Sequence, residues 1–225
     1  STLSSSSAAS DVYKRQDQTY VLYCMTQHQL EHTLFPLYGM EKKDVRRLAE
    51  EHGLVNSHKP DSQDICFVPD GDYVSFIERY TGYKPVSGEY VFSDGKRAGE
   101  HSGIINYTIG QRKGLGVTFG KPVFVTDKDP LSNTVTLGDE AELFRRTLFL
   151  RDFNLIIADK LSEPMRVTAK SRYSAKEQSA LLYPAENGIV RIEFDDPVRA
   201  PAKGQACVVY DGDIVVGGGV IARVE

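Results

Sequence analysis

Hydrophobic and polar positions change their period once along this chain. Up to about residue 81 the apolar side chains recur at helical spacing, and from Pro85 onward they alternate with the period of two expected of strands. Val45, Leu48, Ala49 and His52 fall at i, i+3, i+4 and i+7 and predict a helix from about Glu41 to His52. Gly53 is placed to end it, and Lys42, Lys43, Arg46, Arg47, Glu50 and Glu51 form a solvated opposite face. Tyr73, Phe76, Ile77 and Tyr80 make a second stripe behind a capping Asp70 or Asp72, and core packing accounts for its aromatic character better than base stacking. Earlier, Thr26-Gln27-His28-Gln29 has the form of a capping box and predicts a short helix through Leu30, Thr33 and Leu34. His28 and His32 stand four apart on it, a spacing that can hold a metal. No glutamate or third ligand accompanies them in the expected pattern, so they are expected to be solvent-facing and not ligands.

In the second half, Glu89 to Phe92 and the segment after Lys96 flank Ser93-Asp94-Gly95, a hairpin signal. A further strand is expected over 101–108, and Val123 to Thr126 and Thr134 to Leu137 flank a turn-rich stretch. The acidic bridge Asp139-Glu140-Ala141-Glu142 marks a boundary. Beyond it the pattern predicts strands at 148–157, 165–173, 179–183, 189–194, 206–210 and 214–224, with Asn187-Gly188 and Asp211-Gly212 as the clearest tight turns. Short strands at this spacing predict a small closed barrel.

Composition narrows the class without choosing a function. The chain has 225 residues, a net charge of −4 and three cysteines, Cys24, Cys66 and Cys207, with no CxxC pair. That argues against a disulfide framework and a zinc knuckle, and for a reducing, cytoplasmic setting. No apolar run is long enough to span a bilayer, so no membrane partner is expected. The net charge offers nucleic acid no global attraction, so any RNA contact must come from local patches. Residues 1–16 are rich in Ser and Ala, lack a signal h-region and read as a non-native or disordered tail. The sequence contains no GxxxxGK[ST] loop, no GxGxxG after a strand and no Ser-Gly-Gly-x-Asp-Ser loop, hence no visible nucleotide-binding apparatus.

Three stretches could carry chemistry. Lys59-Pro60-Asp61-Ser62-Gln63-Asp64-Ile65-Cys66-Phe67-Val68-Pro69-Asp70-Gly71 sets one cysteine between two bulky apolar residues, in a loop shaped by prolines that bias their predecessors to extended backbone. Composition alone favours a buried thiol there, because free cysteine is among the most buried residue types. In Met165-Arg166-Val167-Thr168-Ala169-Lys170-Ser171-Arg172-Tyr173 the bases Arg166, Lys170 and Arg172 share a strand face with Thr168. Such a face with Tyr173 beside it suits a phosphate backbone and a stacked base, or is simply a barrel's solvent side. The loop from Gly110 to Gly116 holds Arg112 and Lys113 among glycines whose bare amides could cradle phosphate.

These residues carry a resemblance. Asp17-Gln18-Thr19-Tyr20, the run from Lys59 to Phe67, Tyr107-Thr108-Ile109-Gly110-Gln111-Arg112-Lys113-Gly114-Leu115-Gly116 and Gly217-Gly218-Gly219-Val220-Ile221 are similar, in this order, to the tRNA-specific 2-thiouridylases of the MnmA type. The resemblance implies an α+β chain: a helical remnant of an α/β PP-loop domain at 17–71, a small mainly-β central domain at 72–142 and a C-terminal antiparallel β-barrel at 143–225 that holds tRNA. It implies ATP-dependent 2-thiolation of the wobble uridine of tRNA, with sulfur supplied by a cysteine desulfurase or relay protein and delivered from a cysteine persulfide. Cys66 lies where the family carries that persulfide. Its partner cysteine, ATP and the presumed Mg2+ belong to a pyrophosphatase domain outside these residues. The family's Lys-Asp-Gln contact falls on Gln16-Asp17-Gln18, where Gln16 departs from it. Its Arg-Tyr contact falls on Arg172-Tyr173, and its barrel glutamine on Gln205. Arg112, Lys113 and Lys170 are further tRNA-binding candidates. The alternatives are a non-catalytic RNA-binding module with a structural Cys66, and a stand-alone sulfur carrier.

The implied chemistry needs a thiolate, and a cysteine with a pKa near ~8.5 is only a few per cent ionised at neutral pH. Asp61 and Asp64 oppose ionisation if close, so the positive charge must come from Lys59, the helix beginning after Asp70, Arg112 and Lys113, or the other domain. Cys24 and Cys207, inside apolar runs, read as inert packing residues.

Overall fold

The computed structural model describes residues 19–58, 68 and 72–225, which form two compact units. One unit holds residues 33–85; the other combines the segment up to His32 with residues 86–225.

In the smaller unit, helix α2 (Lys42–Glu51) and helix α3 (Tyr73–Thr81) occupy the stretches that the helical stripes predict. Asp72 caps α3 by accepting from the Ser75 amide at 3.0 Å, and Gly82 ends it at φ 71. Neither helix buries a residue fully. Tyr80 is 81% exposed and stacks on Phe76 at 5.8 Å, so the expected burial of the α3 stripe is corrected. Val68, two residues beyond Cys66, is fully buried.

The larger unit begins with a 3-10 helix, Thr19–Cys24, and helix α1 (Gln27–Glu31). The Thr26/Gln29 capping box forms as predicted, but α1 closes at a His32 C-cap and leaves out Thr33 and Leu34. Two strands, β1 (Gly88–Phe92) and β2 (Arg97–His101), make the hairpin read from Ser93-Asp94-Gly95. The strand expected over 101–108 does not form. The buried His101 ring accepts from the Gly103 amide at 3.1 Å and reaches the Asn133 carbonyl at 3.1 Å through its other nitrogen, and the chain turns into a 3-10 helix at Ile104–Asn106. Strands β3 (Phe124–Asp129) and β4 (Thr134–Gly138) pair antiparallel, and β4 also pairs parallel with β1, giving a four-stranded sheet of order β2-β1-β4-β3. Gly88 is required where β1 passes β4, since a Cβ there would lie 2.1 Å from the Asn133 carbonyl oxygen.

The remaining strands are β5 (Phe144–Leu155), β6 (Met165–Lys170), β7 (Gln178–Leu182), β8 (Val190–Arg199), β9 (Ala206–Asp211) and β10 (Ile214–Val224). They close into the antiparallel barrel β10-β5-β8-β7-β6-β9. Alternation fills it with Leu148, Leu150, Val167, Ala169, Leu182, Ile192, Phe194, Val209 and Ile221. Few helices, a small mixed sheet and this barrel make the chain α+β. A smaller cluster of Phe124, Leu143 and Ala200 joins the four-stranded sheet to the barrel.

Candidate RNA-binding and sulfur-transfer site

The N-terminal segment of the larger unit is fastened to the barrel by its own side chains. In the 3-10 helix Tyr20 and Tyr23, three apart, face the barrel. The Tyr20 hydroxyl donates to the Ala206 carbonyl at 2.6 Å. The Asn154 amide on β5 donates to the carbonyls of Tyr23 at 2.7 Å and Met25 at 2.9 Å, and Gln27 donates to the Ile156 carbonyl. Leu30 of α1 is buried with Ile156, Val208, Tyr210 and Val215. The triple glycine of β10 permits the approach: a Cβ on Gly218 would lie 2.7 Å from the Tyr23 ring, and one on Gly217 would lie 2.3 Å from the Asn154 carbonyl oxygen.

This docking gathers residues distant in sequence. The Tyr20 and Tyr173 rings meet edge to face, 5.6 Å between centroids and 80° between planes. Ala206, which Tyr20 grips, follows Gln205, an exposed residue whose carbonyl accepts from the Ile221 amide at 2.8 Å. Burial, with the Cys207 thiol and the Tyr23 phenol nearby, pushes the Tyr20 phenol well above its ordinary range, so it stays a protonated donor. Arg172, just after β6, is half-buried, and its Nε is buried without a hydrogen-bond partner among the described residues. Tyr173, next to it, is 42% exposed. Three sequence-predicted contacts, Arg172, Tyr173 and Gln205, thus share one neighbourhood with Tyr20, which sequence reading had noted only as part of a motif. Asp17 and Gln18 directly precede Thr19 in sequence and lie outside the described residues, as does Cys66 with the whole stretch 59–67.

The unbroken basic face expected on β6 is corrected. Arg166 forms a two-pronged pair with Asp195 at 2.9 and 2.6 Å, and that guanidinium holds the exposed Asp195 carboxyl below its usual range. Lys170 is buried, 4.0 Å from Glu177 and 5.8 Å over the Tyr210 ring. Thr168 donates to Glu177. Two acids outside β6, Asp195 on β8 and Glu177 in the turn before β7, are invisible to alternation within β6; they pair with Arg166 and Lys170 and leave Arg172 as the cation beside Tyr173.

The start of the glycine-rich loop is fixed by its own backbone hydrogen bonds. The Gly110 amide donates to Val125, the Gln111 amide to Thr108 and the Thr108 amide to the Gln111 side chain, at 2.8 to 3.0 Å. Those three donors are already engaged, one of them by β3, while Arg112 and Lys113 are exposed.

The thiols divide differently from the sequence expectation. Cys207 is wholly buried, and burial pushes its pKa to about 12, as an inert packing residue requires. Cys24 is exposed, because the three-residue period that turns Tyr20 and Tyr23 inward turns Val21 and Cys24 outward. On α1, His28 and His32 are exposed as expected, and Glu31 lies beside them, with one potential ligand atom from each within 4.8 Å of the others. Among the described residues no helix is long and apolar enough to cross a membrane.

A mixed sheet followed by a closed barrel, with an N-terminal segment riding on the barrel beside an Arg-Tyr pair, defines a modular α+β chain. Family models match it in three consecutive parts: a tRNA methyl transferase HUP domain over residues 4–70, a tRNA methyl transferase PRC-barrel domain over 74–139 and an aminomethyltransferase β-barrel domain over 145–221. The tRNA-specific 2-thiouridylase MnmA of Clostridioides difficile is 50% identical over 212 residues, covering 94% of this chain and 59% of its own length. That of Acetivibrio thermocellus is 54% identical over 210 residues, covering 93% and 58%, and that of Clostridium acetobutylicum 49% over 208 residues, covering 92% and 59%. The chain belongs to the tRNA-specific 2-thiouridylase family. It spans less than three-fifths of the length of these relatives.

Proposed function

We propose that this chain supplies the tRNA-holding and sulfur-carrying parts of an ATP-dependent tRNA-uridine 2-sulfurtransferase acting in the cytoplasm. The observation that carries the reading is the convergence of Arg172, Tyr173 and Gln205 around Tyr20, in a chain about half identical to curated 2-thiouridylases. Arg172 offers the positive charge of a half-buried guanidinium to a backbone phosphate, Tyr173 a half-exposed ring for a base or sugar, and Gln205 a side chain on the adjoining turn. Arg112 and Lys113 extend the cationic surface from the central sheet, and Asp17 and Gln18 contribute directly before Thr19. Lys170, buried beside Glu177, supports this surface and does not itself reach RNA.

In this reading, residues 17–71 belong to the catalytic domain, 72–142 to the central domain and 143–225 to the tRNA-binding barrel. Cys66 accepts a sulfane sulfur from a cysteine desulfurase or relay protein; the thiol of the partner cysteine that the resemblance implies then cleaves the S–S bond, closing a disulfide with Cys66 as the released sulfur bonds to C2 of the uridine and the activated C2 oxygen leaves. ATP supplies the activation that makes the uridine oxygen a leaving group. The described residues show no phosphate cradle that fits the nucleotide, and none of the three sequence loops that would bind one is present in these 225 residues, so ATP and Mg2+ are assigned no ligands among them. The chain alone is expected to bind tRNA and not to thiolate it.

Two measurements test the reading. Filter binding of tRNA across a salt series should show binding that Arg172→Ala weakens, and loading by a cysteine desulfurase followed by persulfide trapping should label Cys66. Binding indifferent to Arg172 would remove the RNA surface, and a Cys66 that takes no persulfide would leave only the RNA-binding module.

A further inference from the structure

Helix α1 is held from one side. Leu30 is buried among Ile156, Val208, Tyr210 and Val215, Gln27 donates to the Ile156 carbonyl, and the Thr26/Gln29 capping box closes the first turn. These contacts set the rotation of the helix about its axis. With about 100° per residue, positions 28 and 32 then point roughly 160 to 200° away from Leu30, into solvent. His28, Glu31 and His32 are all exposed, and the two imidazoles lie 4.2 Å apart between centroids at 42°. The order His-x-x-Glu-His reverses the spacing of the familiar His-Glu-x-x-His metal helix and keeps both imidazoles one turn apart.

We propose that His28, Glu31 and His32 form a surface site for a divalent transition metal, Zn2+ by the chemistry of its ligands. Two imidazole nitrogens and one carboxylate oxygen are a donor set that suits zinc and its neighbours, whereas Mg2+ and Ca2+ select sites made of oxygen alone. The three ligand atoms already lie within 4.8 Å of one another. Bound to zinc at about 2.0–2.2 Å they would stand roughly 3.3–3.6 Å apart, a closure that small side-chain rotations supply on an exposed surface. The Nδ1 of His32 lies 2.7 Å from the His28 carbonyl oxygen. Donating its proton there leaves Nε2 with its lone pair outward, the backbone-anchored imidazole typical of metal ligands. Glu31 enters no ion pair among the described residues, so the metal displaces no cation from it. Because the barrel, and not the metal, holds α1 in place, the ligands are gathered before binding. Three protein ligands leave a fourth position for water or for a donor from another molecule.

Zinc titration of the full chain, with its accessible thiols alkylated in the native state and an indicator dye as competitor, tests the site. The expected result is one saturable event that His28→Ala or His32→Ala weakens by about tenfold or more and Glu31→Gln by about threefold or more. His58→Ala, on an exposed histidine beside Glu50, should leave it unchanged. Histidine ring NMR should show Zn2+ shifting the His28 and His32 signals, while thermal melts of the variants stay at the wild-type value because all three positions face solvent. Absence of saturable binding, binding that survives loss of both histidines, an unchanged Glu31→Gln affinity, or equal weakening by His58→Ala would each overturn the three-residue site.

Discussion

Tyr20 and Tyr173 meet edge to face at 5.6 Å, while the Tyr20 hydroxyl holds the Ala206 carbonyl at 2.6 Å. One buried phenol therefore positions the aromatic half of the Arg-Tyr pair and the turn that carries Gln205. Removing only the hydroxyl in Tyr20→Phe should cost about 1 kcal/mol and leave the ring contact intact. Tyr20→Ala removes both, should cost about 3 kcal/mol or more, and should weaken tRNA binding to the extent that Tyr173→Ala does. Chemical denaturation and tRNA titration on the same preparations check this. Wild-type affinity in a folded Tyr20→Ala would show that Tyr20 does not position the site.

The glycines of β10 are expected to be intolerant of side chains for a related reason. A Cβ on Gly217 would collide with the Asn154 backbone at 2.3 Å, whereas one on Gly218 would meet chiefly the Tyr23 ring at 2.7 Å, which can move, with the Cys207 carbonyl oxygen less closely at 3.0 Å. Gly217→Ala should therefore destabilise the barrel itself, by about 2 kcal/mol or more. Gly218→Ala should mainly loosen residues 19–31, seen as faster amide exchange there with barrel protection retained.

Much of this arrangement was legible before the fold, and the remainder was not for definite physical reasons. Period-two alternation placed the barrel strands, and capping and turn residues placed α1, α3 and the Ser93-Asp94-Gly95 hairpin. Such signals are local. Whether Arg166 is free depends on Asp195, and whether Lys170 is exposed depends on Glu177 and Tyr210, residues 7 to 40 positions away that a strand pattern cannot pair. His101 broke an expected strand because its ring, not the backbone, was satisfied by Gly103 and Asn133. Cys24 looked buried because its run is apolar, yet a 3-10 turn exposes every third position of that run. Arg172-Tyr173 and Gln205 were assigned by resemblance, and no sequence signal announced that Tyr20 would join them.

Thiol reactivity separates the cysteines sharply. Iodoacetamide at pH 8 should modify Cys24 rapidly in the native chain, while Cys207, with its pKa raised to about 12, should react only on unfolding. The sign of the pH effect follows from that raised value. Neutral burial of Cys207 contributes stability that is fully present below the unfolded thiol pKa near ~8.5 and is lost as pH rises toward about 12. Mass spectrometry of labelled peptides with and without denaturant measures the contrast, and native labelling of Cys207 would contradict the packing.

Salt dependence can distinguish the two arginines that strand alternation placed on one face. Arg172→Ala should lower tRNA affinity whatever the sequence and reduce the slope of log affinity against log salt by about one, as expected for loss of one phosphate contact. Arg166→Ala should change that slope little, because Asp195 already engages its guanidinium at 2.9 and 2.6 Å. Its mark should appear at low pH instead. The pair holds the Asp195 carboxyl below the ordinary carboxylate range, so the stability it contributes is complete above the unfolded value near ~3.9 and is lost as pH falls through the lower folded one. Acid unfolding of Arg166→Ala should therefore begin at a higher pH than that of the wild type. Equal salt slopes for the two variants would mean that the Asp195 pair opens when RNA binds, and that the whole β6 face, and not Arg172 alone, meets the phosphate backbone.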